Sequence, residues 1–187
     1  MSSCGDAGVK VVIMPGNGAA ADVEYCNFYA WLREKIHKET SARCILKNIP
    51  DPYKAREKIW IPFMHDQMKC DENSIIVGHS SGAVAAMRYC ETYKVKGVIL
   101  VSAYISDLGE PSEAVSGYFS RDWNWDAMKE NCNLWIQFAS KDDPLVPIAE
   151  QRQVAESLGT EFHEFTDKGH FMDDELPELF EVLKKHV

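Results

Sequence analysis

The stretch SIIVGHSSGAVAAMRYC, residues 74–90, carries the plan of the whole chain. Residues 74–79 (SIIVGH) are a short apolar, β-branched run of strand length. Residues 82–92 follow at once with small side chains, a helix able to pack closely on a sheet. A strand running straight into a helix is one βα unit, and repeated units of this kind build parallel sheets. The same alternation recurs on both sides. Residues 9–14 (VKVVIM) read as a first strand closed by Pro15-Gly16-Asn17-Gly18, and residues 22–37 as a helix faced by Phe28, Trp31, Leu32 and Ile36. Residues 44–49 make a weaker second strand ended by Pro50-Asp51-Pro52, followed by a helix at 53–68 that Pro62 must kink or split.

Downstream, residues 97–102 (GVILVS) suit a central strand buried on both faces. Residues 103–122 lack periodicity and hold Gly109, Pro111 and Gly117, as a long loop near a functional site does. A short helix at 123–131 and a fifth strand at 134–139 (LWIQFA) come next. Pro147 and Gly159 frame a helix at 148–158, and a sixth strand at 161–165 and an amphipathic helix at 175–186 complete the order. The expectation is a single α/β domain over residues 1–187, with six strands, about as many helices, and no internal boundary.

Gly78-His79-Ser80-Ser81-Gly82, at the join of strand and helix, matches G-x-S-x-G. An ordinary Gly-containing turn can match it too, but a strand leading in and a helix leading out are the setting a nucleophile elbow requires. In that setting Ser80 occupies strained backbone with Oγ projecting above the sheet, and Gly78 and Gly82 remove Cβ atoms where strand and helix would collide. The Ser81 N–H, at the helix start, then faces the position of a tetrahedral oxyanion. A second donor is expected from Asn17 or Gly18, in the loop after the first strand. A dinucleotide-binding G-x-G-x-x-G is the rival reading of that loop. It matches Gly16-Asn17-Gly18 and then meets Ala21, while Asn48 stands where an acidic ribose ligand belongs.

A serine hydroxyl is a weak nucleophile until a base accepts its proton. His170 lies in Asp167-Lys168-Gly169-His170-Phe171, just beyond the sixth strand, where Gly169 permits a tight turn. His163 falls inside that strand and His186 in the final helix. The acid that orients the imidazole is expected at the end of the fifth strand, where spacing alone leaves both Asp142 and Asp143 open. These elements follow strands three, five and six, and so converge on the carboxyl edge of the sheet, where open α/β sheets bind ligands.

The 187 residues are 45% apolar and 26% charged, ordinary for a globular domain, and the net charge of −9 tells against nucleic acid or an anionic membrane as partner. No apolar run approaches the ~20 residues that span a bilayer. The cysteines (Cys4, Cys26, Cys44, Cys70, Cys90, Cys132) form no C-x-x-C pair, and residues 1–10 lack a basic start followed by an apolar core. Free thiols in a cytoplasmic protein are therefore expected. His37, His65 and His79 offer no metal geometry, and no metal or organic cofactor is expected.

Met14-Pro15-Gly16-Asn17-Gly18, Gly78-His79-Ser80-Ser81-Gly82, Val101-Ser102-Ala103-Tyr104 and Gly169-His170-Phe171 resemble the retinoblastoma-binding protein nine family of serine hydrolases. Ala55-Arg56-Glu57, Trp60-Ile61-Pro62-Phe63 and Ser116-Gly117-Tyr118-Phe119 extend the likeness over nearly the whole chain. The resemblance implies a compact α/β-hydrolase fold with sheet order 2-1-3-4-5-6 and no large cap domain. It implies a triad of Ser80, Asp143 and His170, and hydrolysis of small carboxylic esters or amides, including aminoacyl substrates. The family takes its name from an L-x-C-x-E segment proposed to bind the retinoblastoma protein. Its equivalent here is Met68-Lys69-Cys70-Asp71-Glu72, and the replacement of the leading Leu tells against that partner.

Trp60, Phe63, Trp123, Trp125 and Phe171 are candidates for an apolar pocket wall, although filling the core is the commoner role for such residues. Phe171, beside the base, is the first candidate for substrate contact and Tyr104 the second. With no inserted domain, the site should be shallow and open. The alternative to an enzyme is an interaction protein that keeps the hydrolase scaffold with little turnover.

Overall fold

The computed structural model describes residues 8–18 and 22–187. Six parallel strands form one sheet in the order β2-β1-β3-β4-β5-β6. They are β1 (Lys10–Met14), β2 (Arg43–Ile45), β3 (Ser74–His79), β4 (Gly97–Val101), β5 (Trp135–Ser140) and β6 (Glu161–Phe165). Seven α-helices occur among the described residues: α1 (Tyr29–Glu39), α2 (Glu57–Asp66), α3 (Ser81–Cys90), α4 (Pro111–Ala114), α5 (Trp125–Asn131), α6 (Ile148–Leu158) and α7 (Pro177–Leu183). This is the α/β-hydrolase order that the resemblance implied.

Strand alternation divides the core in two. Val12, Met14, Ile76, Val98 and Leu100 face one layer, where α2, α3, α5 and α6 contribute Trp60, Met64, Met87, Met128 and Val154. Val11, Ile13, Ile75, Val77, Ile99, Val101 and Phe138 face the other, against Leu32 and Ile36 of α1 and Leu179 and Leu183 of α7. Strands β3 and β4 are buried along their full length, as their unbroken apolar runs require. Helix α3 is buried at every position, which explains its small residues.

The departures from expectation have local causes. The helix expected over 22–37 is interrupted. Asp22 caps a short 3-10 turn at Val23–Tyr25, Asn27 turns the chain with φ 46°, and α1 starts only at Tyr29. Tyr29 is then fully buried, while Trp31 packs at the margin of its cluster. The second strand shrinks to three residues. Before α2, residues 51–56 close a turn on Asp51, whose carbonyl accepts from Ala55 N (2.9 Å) and whose carboxylate accepts from Arg56 N (3.1 Å) and Arg56 Nε (2.8 Å). Helix α2 therefore begins at Glu57 and passes through Pro62 unsplit. The expected long loop after β4 contains α4.

Candidate active site

Ser80 joins β3 to α3 with φ 56° and ψ −122°, a conformation that L-residues enter only under constraint. Its N–H is held by the Val101 carbonyl (2.9 Å). The flanking glycines are required sterically. A Cβ on Gly78 would lie 2.5 Å from the Gly82 carbonyl oxygen, and one on Gly82 would lie 2.2 Å from the Met14 oxygen. The turn thus lifts Ser80 Oγ out of the sheet, as expected of the motif.

His170 follows β6 between two residues of positive φ, Gly169 (51°) and Phe171 (53°). This turn aims the imidazole at Ser80, with Nε2 3.0 Å from Oγ. On its other side Nδ1 lies 2.9 and 3.0 Å from the two carboxylate oxygens of Asp143. A carboxylate only accepts, so Nδ1 carries the proton and Nε2 is left as acceptor for the Ser80 hydroxyl. The Asp143 side chain is fully buried, and Ser102 Oγ donates to it at 2.8 Å. The backbone N–H groups of Leu145 and Val146 also donate to it (2.9 and 3.0 Å). Burial pushes the Asp143 carboxyl up, but the hydrogen bond from His170 and the backbone donors outweigh it and hold the group below its ordinary range.

Of the two aspartates that spacing left open, Asp142 faces away from the imidazole. It accepts from Ser140 Oγ (2.5 Å) and Gly169 N (2.9 Å), while Ser140 Oγ in turn accepts from Lys168 N (3.1 Å). Asp142 therefore fastens the turn after β5 to the turn after β6.

The Ser81 N–H, at the start of α3, and the Asn17 N–H donate no hydrogen bond among the described residues; Asn17 lines the cleft around Ser80, and Ser81 is the buried residue that follows the serine. Gly18 does not fit the donor role expected of it. Its N–H is already given to the Pro52 carbonyl at 2.7 Å. The Gly16 N–H is likewise taken, by the Tyr29 hydroxyl (3.0 Å). Ala21, on which the dinucleotide reading turned, and Cys4 lie outside the described residues; the five described cysteines are free thiols.

A cleft of about 380 Å³ opens over Ser80, with Tyr25, Asn27, Leu145, Met172 and Asp174 on its walls. Neither expected substrate contact lines it. Phe171 is 2% exposed and packs edge-on against Phe165, because its positive φ turns the ring into the core as it turns His170 outward. Tyr104 is 1% exposed, with its hydroxyl on Glu113 (2.8 Å) and Ser81 Oγ (3.0 Å). Trp60, Phe63, Trp123 and Trp125 pack against the core cluster and do not reach the cleft. The exposed apolar side chains Tyr25, Leu145 and Met172 take the wall role instead. Each is a single apolar residue in a loop or a short 3-10 turn, with no periodicity to mark it.

Sequence reading also missed His79. It is fully buried, donates from Nε2 to the His170 carbonyl (2.8 Å) and accepts at Nδ1 from the Tyr29 hydroxyl (2.6 Å). Burial pulls its pKa down to about 3, so it stays neutral. Through Tyr29 and Gly16 it links the His170 turn to the loop after β1. Its place as the first variable residue of G-x-S-x-G was the available signal.

In the Met68–Glu72 segment, Met68 and Cys70 are buried in the core (0% and 2% exposed), leaving only Lys69, Asp71 and Glu72 at the surface. No helix among the described residues is long and apolar enough to cross a membrane, and no cluster of His, Cys, Asp and Glu there could hold a metal ion.

The serine hydrolase family model matches residues 11–185. The rat (Rattus norvegicus) protein Serine hydrolase RBBP9 is 52% identical over 175 residues, covering 94% of each chain. Among solved structures, the ydeN gene product of Bacillus subtilis shares the fold with a TM-score of 0.84 at 24% identity, over 95% of this chain and 98% of its own. The esterase RhEst1 from Rhodococcus sp. ECU1013 superposes with a TM-score of 0.63 at 16% identity, over 96% and 90% of the two chains. With an elbow serine under an open cleft and a family model spanning all but the ends of the sequence, this chain belongs to the serine hydrolase family.

Proposed function

We propose that the protein cleaves small carboxylic esters or amides through an acyl-enzyme on Ser80, with His170 as general base and acid and Asp143 as the carboxylate that orients it. The observation that carries this reading is the unbroken chain from Ser80 Oγ to His170 Nε2 (3.0 Å) and from His170 Nδ1 to Asp143 (2.9 Å). His170 takes the Ser80 proton as Oγ bonds to the substrate carbonyl carbon. The resulting oxyanion is met by the N–H groups of Ser81 and Asn17, aided by the positive end of α3. The imidazolium then protonates the leaving oxygen or nitrogen, the acyl-enzyme forms, and a water activated by His170 releases the acid.

The cleft walls favour a compact apolar acyl or leaving group beside a positive charge. Tyr25, Leu145 and Met172 offer apolar surface, and Asp174 is the one carboxylate on the lining among the described residues. An α-ammonium group placed near Asp174 fits this arrangement, which makes aminoacyl esters and amides the preferred substrates. The buried Met68 and Cys70 leave little for a pocket-protein partner to grip, so the scaffold reading gains no support from that segment.

A fluorophosphonate probe tests the chemistry. Labelling is expected to vanish in Ser80→Ala and to persist, more slowly, in Ser81→Ala; unlabelled wild-type protein would sink the reading. On paired p-nitrophenyl substrates, Asp174→Asn should raise KM several-fold for an aminoacyl ester and leave a neutral acyl ester unchanged. An equal effect on both would remove the charge preference.

A further inference from the structure

The segment between β4 and α5 sends one acidic side chain into the protein behind the nucleophile. Glu113, in the four-residue helix α4, is 6% exposed and makes no ion pair among the described residues. Its partners are three neutral donors: Asn17 Nδ2 (2.7 Å), the Tyr104 hydroxyl (2.8 Å) and Ser81 Oγ (3.3 Å). A carboxylate removed from water without a cation is costly to keep, and the usual reason for one is local and functional. Two of the three donors belong to Asn17 and Ser81, the residues whose N–H groups make no hydrogen bond among the described residues and which the acyl-enzyme reading assigns to the oxyanion.

We infer that Glu113 is a positioning residue that sets the spacing of the oxyanion hole by gripping, with one carboxylate, the side chains of both residues whose backbone N–H groups form it. The inference rests on the acyl-enzyme reading above. Asn17 sits between two glycines and has little steric restraint of its own. On one side the Gly18 N–H is pinned to Pro52 (2.7 Å) and on the other the Gly16 N–H is pinned to Tyr29 (3.0 Å). The remaining freedom, rotation of the Asn17 peptide toward or away from Ser80, is what the Asn17–Glu113 bond removes. Ser81 is fixed from the opposite direction, its Oγ shared between Glu113 and Tyr104. Glu113 is itself steadied from outside: the Glu57 N–H at the start of α2 donates to the Ser116 carbonyl (2.8 Å), and Ser116 Oγ donates to the Glu113 carbonyl (2.6 Å). Burial raises the Glu113 carboxyl above its ordinary range, which lessens the opposition of a negative charge to the forming oxyanion.

Two readouts test this. In the acyl-enzyme, the carbonyl stretch measured by infrared difference spectroscopy with a 13C-labelled acyl group should move to higher wavenumber in Glu113→Ala, where hydrogen bonds to the oxygen are lost. In the same variant kcat should fall about a hundredfold with KM within threefold, the cost of a donor misplaced by about 1 Å. Glu113→Gln keeps the length and the acceptor for Asn17, and should restore both values to near wild type. In the free protein, 15N relaxation should show the Asn17 amide rigid in wild type and Glu113→Gln but mobile in Glu113→Ala. If Glu113→Ala does not fold, Asn17→Ala cuts the same tie from the rim and should reproduce the spectral shift. An unshifted carbonyl, or an Asn17 amide equally rigid in all three proteins, overturns the inference. Failure of wild type to acylate at Ser80 sinks the underlying reading instead, and the relaxation data still judge the tether.

Discussion

Replacing Gly82 by alanine would drive a methyl group into the backbone of the neighbouring strand. The added Cβ would sit 2.2 Å from the Met14 oxygen, 2.5 Å from the Pro15 oxygen and 2.7 Å from the Met14 carbonyl carbon, whereas ordinary contact begins at 3.4 Å. All three atoms are main chain, so no rotamer change relieves the clash. About 1 Å must open between the end of β1 and the start of α3. Overpacking of this kind costs about 3 kcal/mol at the upper end of its usual range. For a domain of this size that lowers Tm by about 6–12 °C. The same displacement pulls Asn17 away from Ser81, so kcat should fall about a hundredfold. Gly159→Ala is the control. Gly159 ends α6 at φ 67° with nothing within 4 Å of an added Cβ, so only backbone strain of about 1 kcal/mol applies, a loss of about 2–4 °C with kcat unchanged. Calorimetric melting and p-nitrophenyl ester turnover measure both. A Gly82→Ala protein that melts within about 2 °C of wild type, a loss of no more than about 1 kcal/mol for a domain of this size, or that keeps full kcat, would show that β1 and α3 are not in the contact described.

Two further outcomes are expected. Ser102→Ala removes a 2.8 Å hydrogen bond to the Asp143 carboxylate, and kcat should drop about tenfold with little change in KM, since a bond to a charged group is worth about 1.5 kcal/mol. Steady-state kinetics with unchanged kcat would remove Ser102 from any role in holding the acid. His79 is held neutral by burial, with its pKa lowered from 6.5 to about 3. The unfolded chain therefore binds this proton first as the pH falls below 6.5, and folded-state stability declines toward pH 3 by about 1.4 kcal/mol per pH unit. Denaturant melts at pH 7 and pH 5 should show His79→Gln losing less stability than wild type over that interval; equal losses would place the proton elsewhere.

What could be read from the sequence, and what could not, follows from the range of the interactions involved. Strands β3 and β6 and helix α6 match expectation to the residue because their limits are local: an apolar run, a Pro start, a Gly stop. Helix α1 starts seven residues later than its pattern because Asn27 adopts a positive φ that no periodicity announces. The meeting of Ser80 and His170 with the Asp142-Asp143 pair was legible because strand order alone brings their three turns to one edge, while the choice of Asp143 within the pair came only from the family resemblance. Glu113 was not, because a single Glu in an aperiodic loop carries no mark of the two side chains it will reach. Gly18 was overestimated for a related reason, since the carbonyl that takes its N–H belongs to Pro52, far along the chain.

The clasp made by Asp142 has a dynamic side. Because it binds the turn after β5 to the turn after β6, the carboxylate and the imidazole are tied together by contacts that do not involve Ser80, whose N–H is held by β4. Breathing of the cleft, as when a product departs, would then stretch the gap between hydroxyl and imidazole and leave the imidazole–carboxylate pair intact. The ring would return from each excursion already carrying its proton on the correct nitrogen, with no search among tautomers before the next turnover.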